Sequence, residues 1–248
     1  MSFGFEREAG KKNVPDTEGE RIKRVGFFGA YSYDIIMYLA RILSLAGKQV
    51  LVFDRSTEQE VIRMIRSVSE GDLQLGIFHF CGVDVTSRVV LPETMNLNES
   101  YDVVIYDFGG NMCPEEYHSC DTICYVLDMY VHNALRIQET ENVAEGKTWM
   151  VLRDLFRGKA MARYHMRLTG KAVAKEDVFS IRLNSDDFVA RFRMEADQLP
   201  RIEFASDEMK DMVYQMASRI CPEEIGTDAK RKKNRKGRGS GSEERFSA

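Results

Sequence analysis

The chain has 248 residues, 44% of them hydrophobic, with 35 Lys and Arg against 39 Asp and Glu for a net charge of −4. That length is enough for a substantial buried core, in one large domain or two small ones, and one domain with tails is expected. The longest apolar stretch is broken by Asp34 and Arg41 and the first 24 residues hold no apolar signal core, which argues against a membrane span or a secretion signal and for a cytoplasmic protein.

The charge is unevenly spread. Residues 229–248 hold eight Lys and Arg against two Glu, net +6, which leaves net −10 on residues 1–228. Five cysteines (Cys81, Cys113, Cys120, Cys124, Cys221) are irregularly spaced, so reduced thiols are expected. Cys113, His118, Cys120 and Cys124 lie close in sequence, but their spacing fits no pair of zinc knuckles and Cys124 falls in the apolar run "TICYVLDM". Buried thiols, and no metal, are the expectation. His79, His118, His132 and His165 are scattered and show no acid/base pairing.

In chain order, residues 1–22 are charged and aperiodic and read as a flexible arm. A strand at 24–28 ends on the lone Gly29, and a helix at 33–46 carries a broad apolar stripe including Ile35, Ile36, Leu39 and Leu43 before the Gly47 stop. Further strands are predicted at 49–53, 75–80, 102–106, 122–127, 148–153 and 177–181, and further helices at 58–67, 131–144, 155–168, 186–196 and 206–219. The last helix opens on Ser206, with Asp207 and Glu208 in its first turn and Arg219 near its end. Continuous apolar strands such as "VLVF", "DVVIY" and "TWMVL" are covered on both faces, so the expected fold is α/β, a mostly parallel central sheet with helices on both sides. The domain is bounded at 23–222, and 223–248 is expected to be a disordered basic tail.

In open parallel sheets ligands sit beyond the carboxyl ends of the strands, where Gly29, Asp54, Asp107 and Arg153 are predicted to project. Here the chain resembles the ParA/MinD-type P-loop ATPases, a family that includes the TadZ/CpaE-like localisation proteins of Tad (Flp) pilus systems. "YDVVIYDFGG" is similar to the family's "YDxVIIDxPPG", "LAGKQVLVFD" to "KAGKKVLLID", and "CDTICYVLDMYVHNALRIQE" to its "aDxvixVxxPxxxSlrda" strand and helix.

The departure falls on the phosphate loop. In the family pattern KGGxGKTT, backbone N–H groups cradle phosphates, lysine neutralises them and a hydroxyl meets magnesium. The matching residues are "FFGAYSYD": Phe27 and Ser32 replace the two lysines, Phe28 and Tyr31 replace two glycines, Tyr33 replaces the hydroxyl, and Asp34 adds a negative charge facing a triphosphate. Loss of one preorganised transition-state donor costs about 10²- to 10³-fold, and phosphoryl transfer rests on such positioning. The resemblance therefore implies a pseudo-ATPase with no catalytic residues and no cofactor, ATP with magnesium entering only if the loop proves functional.

Gly29, Ser32, Asp54, Asp107 and Arg153 are then remnants of a nucleotide pocket. The resemblance places Asp54 and Asp107 as metal-site and water-positioning carboxylates, while the residues alone equally fit caps for the turns that follow. Arg153 stands where the family often has an adenine-contacting Asn, and Arg182 where it has proline. Phe28, Tyr31 and Tyr33 are candidates for a nucleotide-independent contact surface, or for filling the monomer's own core.

The resemblance implies a homodimer, or a heterodimer with an active ParA/MinD-like relative, placing or assembling a pilus or secretion machine. Two other classes stay open. The opening segment is also similar to the dinucleotide-binding start of hydroxyacid dehydrogenases, though Tyr31 and Asp34 occupy that fingerprint's second and third glycines. "KRKKNRKGR" is either a contact for nucleic acid or the anionic inner face of a membrane, or a solubilising tail that also contacts the acidic body.

Overall fold

A computed structural model describes residues 21–65, 76–87, 90, 95, 97–111, 114–141, 146–156, 159–223 and 225. Cys113, residues 224 and 226–248 of the predicted tail and all but the last two residues of the predicted N-terminal arm lie outside them. Eight strands form one sheet in the order β3-β4-β2-β5-β1-β6-β7-β8. They are β1 (Lys23–Gly29), β2 (Val50–Asp54), β3 (Ile77–Phe80), β4 (Val83–Ser87), β5 (Val103–Gly109), β6 (Thr122–Leu127), β7 (Lys147–Leu155) and β8 (Val178–Arg182). β3 runs antiparallel to β4, and every other pairing is parallel.

Helices cover both faces, as the unbroken apolar strands require. One face carries α1 (Tyr33–Leu45), α2 (Glu60–Arg63), α7 (Ser185–Asp197) and α8 (Asp207–Ile220), which bury residues such as Ile35, Val61, Met194 and Val213 with Val25 and Val52 of the sheet. The other carries α3 (Leu97–Ser100), α4 (Pro114–Ser119), α5 (Val131–Gln138) and α6 (Lys159–Leu168), whose Leu97, Tyr117 and Ile137 pack on Phe53, Tyr106 and Phe108. Leu39 and Leu43 of α1 are fully buried, each burial stabilising by about 1.5–3 kcal/mol.

Four departures from the predicted elements have local causes. Residues 83–87, left without an element, form β4, hairpinned to β3 through Cys81 and Gly82, whose φ values of 52° and 78° are those of a two-residue turn. α5 stops at Gln138, six residues before its predicted end, and the Thr140 hydroxyl bonds back to the Ile137 carbonyl. β7 continues to Leu155 rather than ending at Arg153. Ile22 and Ile225, placed in the arm and the tail, are both core residues.

The Ser206 cap forms as predicted, its hydroxyl accepting from the Met209 N–H. Among the described residues no helix is long and apolar enough to cross a membrane.

Candidate functional site

Two sheet irregularities shape the carboxyl edge. The β1–β5 register shifts at Phe27/Phe28, and β7–β8 shifts between Leu152 and Leu155, with Asp154 at a φ of 55°. Such a bulge bends a strand and re-aims its side chains. Here it lies at Arg153 and Asp154, whose side chains reach the loop after β1. Gly29 ends β1 at a φ of 125°, and a Cβ there would stand 2.3 Å from the Val126 carbonyl oxygen, so the turn requires glycine.

Arg153 is the centre of the first cluster. Its guanidinium grips Asp34 in two-pronged fashion, Nη1 to Oδ1 at 3.0 Å and Nη2 to Oδ2 at 2.9 Å, and Nη1 also donates to the Tyr31 carbonyl at 2.6 Å. Both residues are buried, 1% and 0% exposed. The Tyr31 ring lies against the Arg153 guanidinium at 3.8 Å and the Arg191 guanidinium at 4.9 Å, and its hydroxyl bonds Asp154 and Arg191. Arg191, from α7, stands 3.7 Å from Asp34. Burial pushes the Asp34 carboxyl up, but the charge and hydrogen bonds of Arg153, with the Arg191 charge and the Ile35 N–H, together hold the group below the usual carboxylate range. Burial likewise disfavours the Arg153 cation, and Asp34 more than compensates.

The expectation that Asp34 faces outward toward a phosphate is therefore corrected. Its charge is turned inward, onto a guanidinium from β7 that also takes up the loop's own carbonyl. Arg153, expected at a base-contacting position, spends its hydrogen bonds on that loop.

The second cluster lies across β1. Asp54 and Asp107 are paired neighbours on β2 and β5. Asp54 Oδ1 accepts from the Ser56 hydroxyl at 2.6 Å and the Ser56 N–H at 3.2 Å, and Oδ2 accepts from the Ile62 N–H at 3.0 Å. Asp107 Oδ1 accepts from the Gly109 N–H at 3.0 Å and the Ser32 hydroxyl at 3.5 Å. Asp54 caps the turn after β2, and Asp107 bonds back to the last residue of its own strand. Burial raises both, and the Asp54 charge raises Asp107 further, well above the usual range. Burial, then the charges of Glu58 and Asp54, also raise Glu60 at the start of α2. A carboxyl that holds its proton donates a hydrogen bond and gives up its attraction for a cation.

The three candidate contact residues separate. Phe28 is 2% exposed and packs edge-on against Tyr125, so it belongs to the core, not to a surface. Tyr31 is half-buried in the arginine sandwich, and Tyr33 is half-buried with its hydroxyl donating to Glu195 of α7 at 2.5 Å. The exposed apolar groups at this edge are others. Phe188 (63%) and Phe192 (66%) stand one turn apart on α7, and Phe156 (65%) and Leu183 (50%) follow β7 and β8 beside the Leu183–Leu155 backbone bond.

The remaining sequence candidates play local parts. Arg182 pairs with Glu208 on the surface. Cys120 and Cys124 are buried free thiols of the core, and no group of three or more His, Cys, Asp or Glu poised for a metal occurs among the described residues. His79 pairs with Asp84 and His118 with Glu141, both near the surface, His132 stacks beside Tyr130, and His165 is buried.

No protein-family model and no curated protein matches this sequence. Solved structures do. A ParA-family ATPase from Chlorobium tepidum superposes with a TM-score of 0.53 at 14% identity, covering 79% of this chain and 98% of that one. An ATP complex of McdA from Cyanothece gives 0.58 at 11%, covering 82% and 97%, and MinD in its MinC complex from Aquifex aeolicus gives 0.57 at 12%, covering 81% and 96%. The fold is that of the ParA/MinD-type ATPases. At these identities the likeness shows the fold alone.

Proposed function

We propose that the protein is a non-catalytic member of the ParA/MinD fold group, an adaptor that works through protein contacts at the carboxyl edge of its sheet. The observation that carries this reading is the Arg153–Asp34 pair. A phosphate loop offers its ligand cations and bare N–H groups, whereas this loop presents a carboxylate, a tyrosine and a carbonyl to an arginine of its own chain. Admitting a triphosphate means breaking a buried, two-pronged ion pair, at a cost of about 3–5 kcal/mol when one partner is left unmatched.

The contact surface is the group around Phe188 and Phe192, because large aromatic side chains are favoured as interface anchors. The first partner is a second copy of the chain, and the resemblance adds an active relative of the same fold. The resemblance to TadZ-like proteins supports a role in placing or assembling a pilus or secretion machine at the inner face of the membrane, with the basic tail contacting anionic lipid or nucleic acid.

The test is calorimetry of the purified protein with ATP and magnesium, and separately with NAD. No heat of binding from either is expected. Micromolar ATP binding, or phosphate release above background, would overturn the reading, and NAD binding would return the chain to the dinucleotide-binding class.

A further inference from the structure

The edge of the sheet opposite that surface holds a cavity of about 400 Å³, within the range of small-molecule sites. Its walls include Arg21, Lys23, Arg24, Lys48, Lys147 and Arg219, brought together from the amino ends of β1, β2 and β7 and the end of α8. Against these six cations stand three acids, Asp102, Asp121 and Glu223.

Carboxylates take up three of these cations. Asp121 takes Arg21 at 3.3 Å and the Arg24 N–H at 2.8 Å, and Asp102 accepts from the Gln49 N–H at 2.8 Å. Lys147 and Arg219 share Asp177 at 3.3 and 2.7 Å. Among the described residues neither Lys23 nor Arg24 has a carboxylate within ion-pair distance, and the Arg24 guanidinium bonds only the neutral Asn98 amide oxygen, at 3.3 Å. Trp149, in the same wall, is 2% exposed, and its indole N–H has no hydrogen-bond partner among the described residues. Surplus cations lining a cavity are the complement of an oxygen-rich anion, and Trp149 lies against it.

We propose that this amino-edge cavity binds a compact inorganic oligophosphate through Lys23, Arg24 and the surrounding cations. The site is separate from the loop after β1, so it stands whether or not the adaptor reading does. A compact ligand with several negative charges suits these cations and a cavity of this volume. Trp149 reports on the site directly, being the only tryptophan of the chain.

The test follows Trp149 emission of the full-length protein during titration with tripolyphosphate, which does not absorb, without magnesium. A saturable change is expected, and the Lys23→Gln, Arg24→Gln double variant should weaken it by about tenfold or more, the effect of losing one charge-assisted hydrogen bond. No saturable change in the wild type would overturn the proposal, as would an equal change with sodium chloride at matched ionic strength. So would unaltered affinity in a folded double variant. A response to a duplex oligonucleotide with none to tripolyphosphate would overturn it too, reassigning the cavity to nucleic acid.

Discussion

Asp34 and Asp107 are both buried carboxyls at the carboxyl edge of one sheet, one at the head of α1 and the other in β5, and burial ends differently for each. Asp34 faces the guanidinium groups of Arg153 and Arg191 and keeps its charge. Asp107 faces Asp54, a serine hydroxyl and one backbone N–H, and is pushed toward the protonated form. The same desolvation cost is met by a counter-ion on the β7 side of β1 and by proton uptake on the β5 side. The β7 side is therefore held by charge pairing, while on the β5 side burial raises the proton affinity of the carboxyls.

The most damaging way to break this contrast is Arg153→Met. It leaves Asp34 buried with the Ile35 N–H and the longer Arg191 contact, and a loss of about 3–5 kcal/mol is expected as a lowered urea midpoint. Replacing both partners, Asp34→Leu with Arg153→Met, should recover much of it, since a well-packed neutral pair replaces a buried ionic one at little cost. A double variant as unstable as the single one would show that packing, not charge, holds the loop.

Acidity sharpens the contrast further. The folded pKa of Asp34 lies below its unfolded value of about 3.9, so its contribution is complete above that pH and is lost as pH falls through the folded value. Asp107 has the opposite sign: with its folded pKa raised, the native state binds the extra proton, and stability is lost as pH rises from the unfolded toward the folded value. Asp107→Asn, shaped like the protonated acid, should therefore raise stability at neutral pH by on the order of 1 kcal/mol and leave it little changed near pH 3. Thermal melts across that range decide it, and destabilisation at neutral pH would show that the charged form is the native one.

The two clusters were unequally legible in the sequence. Asp54 and Asp107 stand at the ends of short apolar runs, and strand periodicity alone places both at the carboxyl edge. Their hydrogen-bond partners, Ser56 and Gly109, are two residues away, within reach of local reasoning. The Arg153–Asp34 pair joins residues 119 apart through a bulge at Asp154, and no local pattern marks the bulge or shows that the predicted helix carrying Arg191 faces it. β4 was missed for a related reason: its turn uses Cys81 and Gly82 rather than the Asn-Gly or Asp-Gly that announces a hairpin. Phe28 was a contact candidate because it aligns with the phosphate loop, and of the two readings left open the core one holds: strand alternation continues through it and turns it onto Tyr125.

The smallest effect on the fold, and the sharpest on the surface, is expected from Phe188→Ser with Phe192→Ser. Both rings are mostly exposed, so stability should stay within about 0.5 kcal/mol. Truncating Tyr31 and Tyr33 instead would confuse two effects, because those rings are tied to Arg191 and Glu195 and help hold the arginine cluster. The α7 phenylalanines meet that cluster only through the Arg191 guanidinium over the Phe188 ring, at 5.9 Å. Sedimentation velocity should show the wild type self-associating and the variant moving toward monomer, while the urea midpoints of the two coincide. An unchanged sedimentation profile would remove α7 from the contact surface and leave the ion-paired side of the edge a feature of the monomer only.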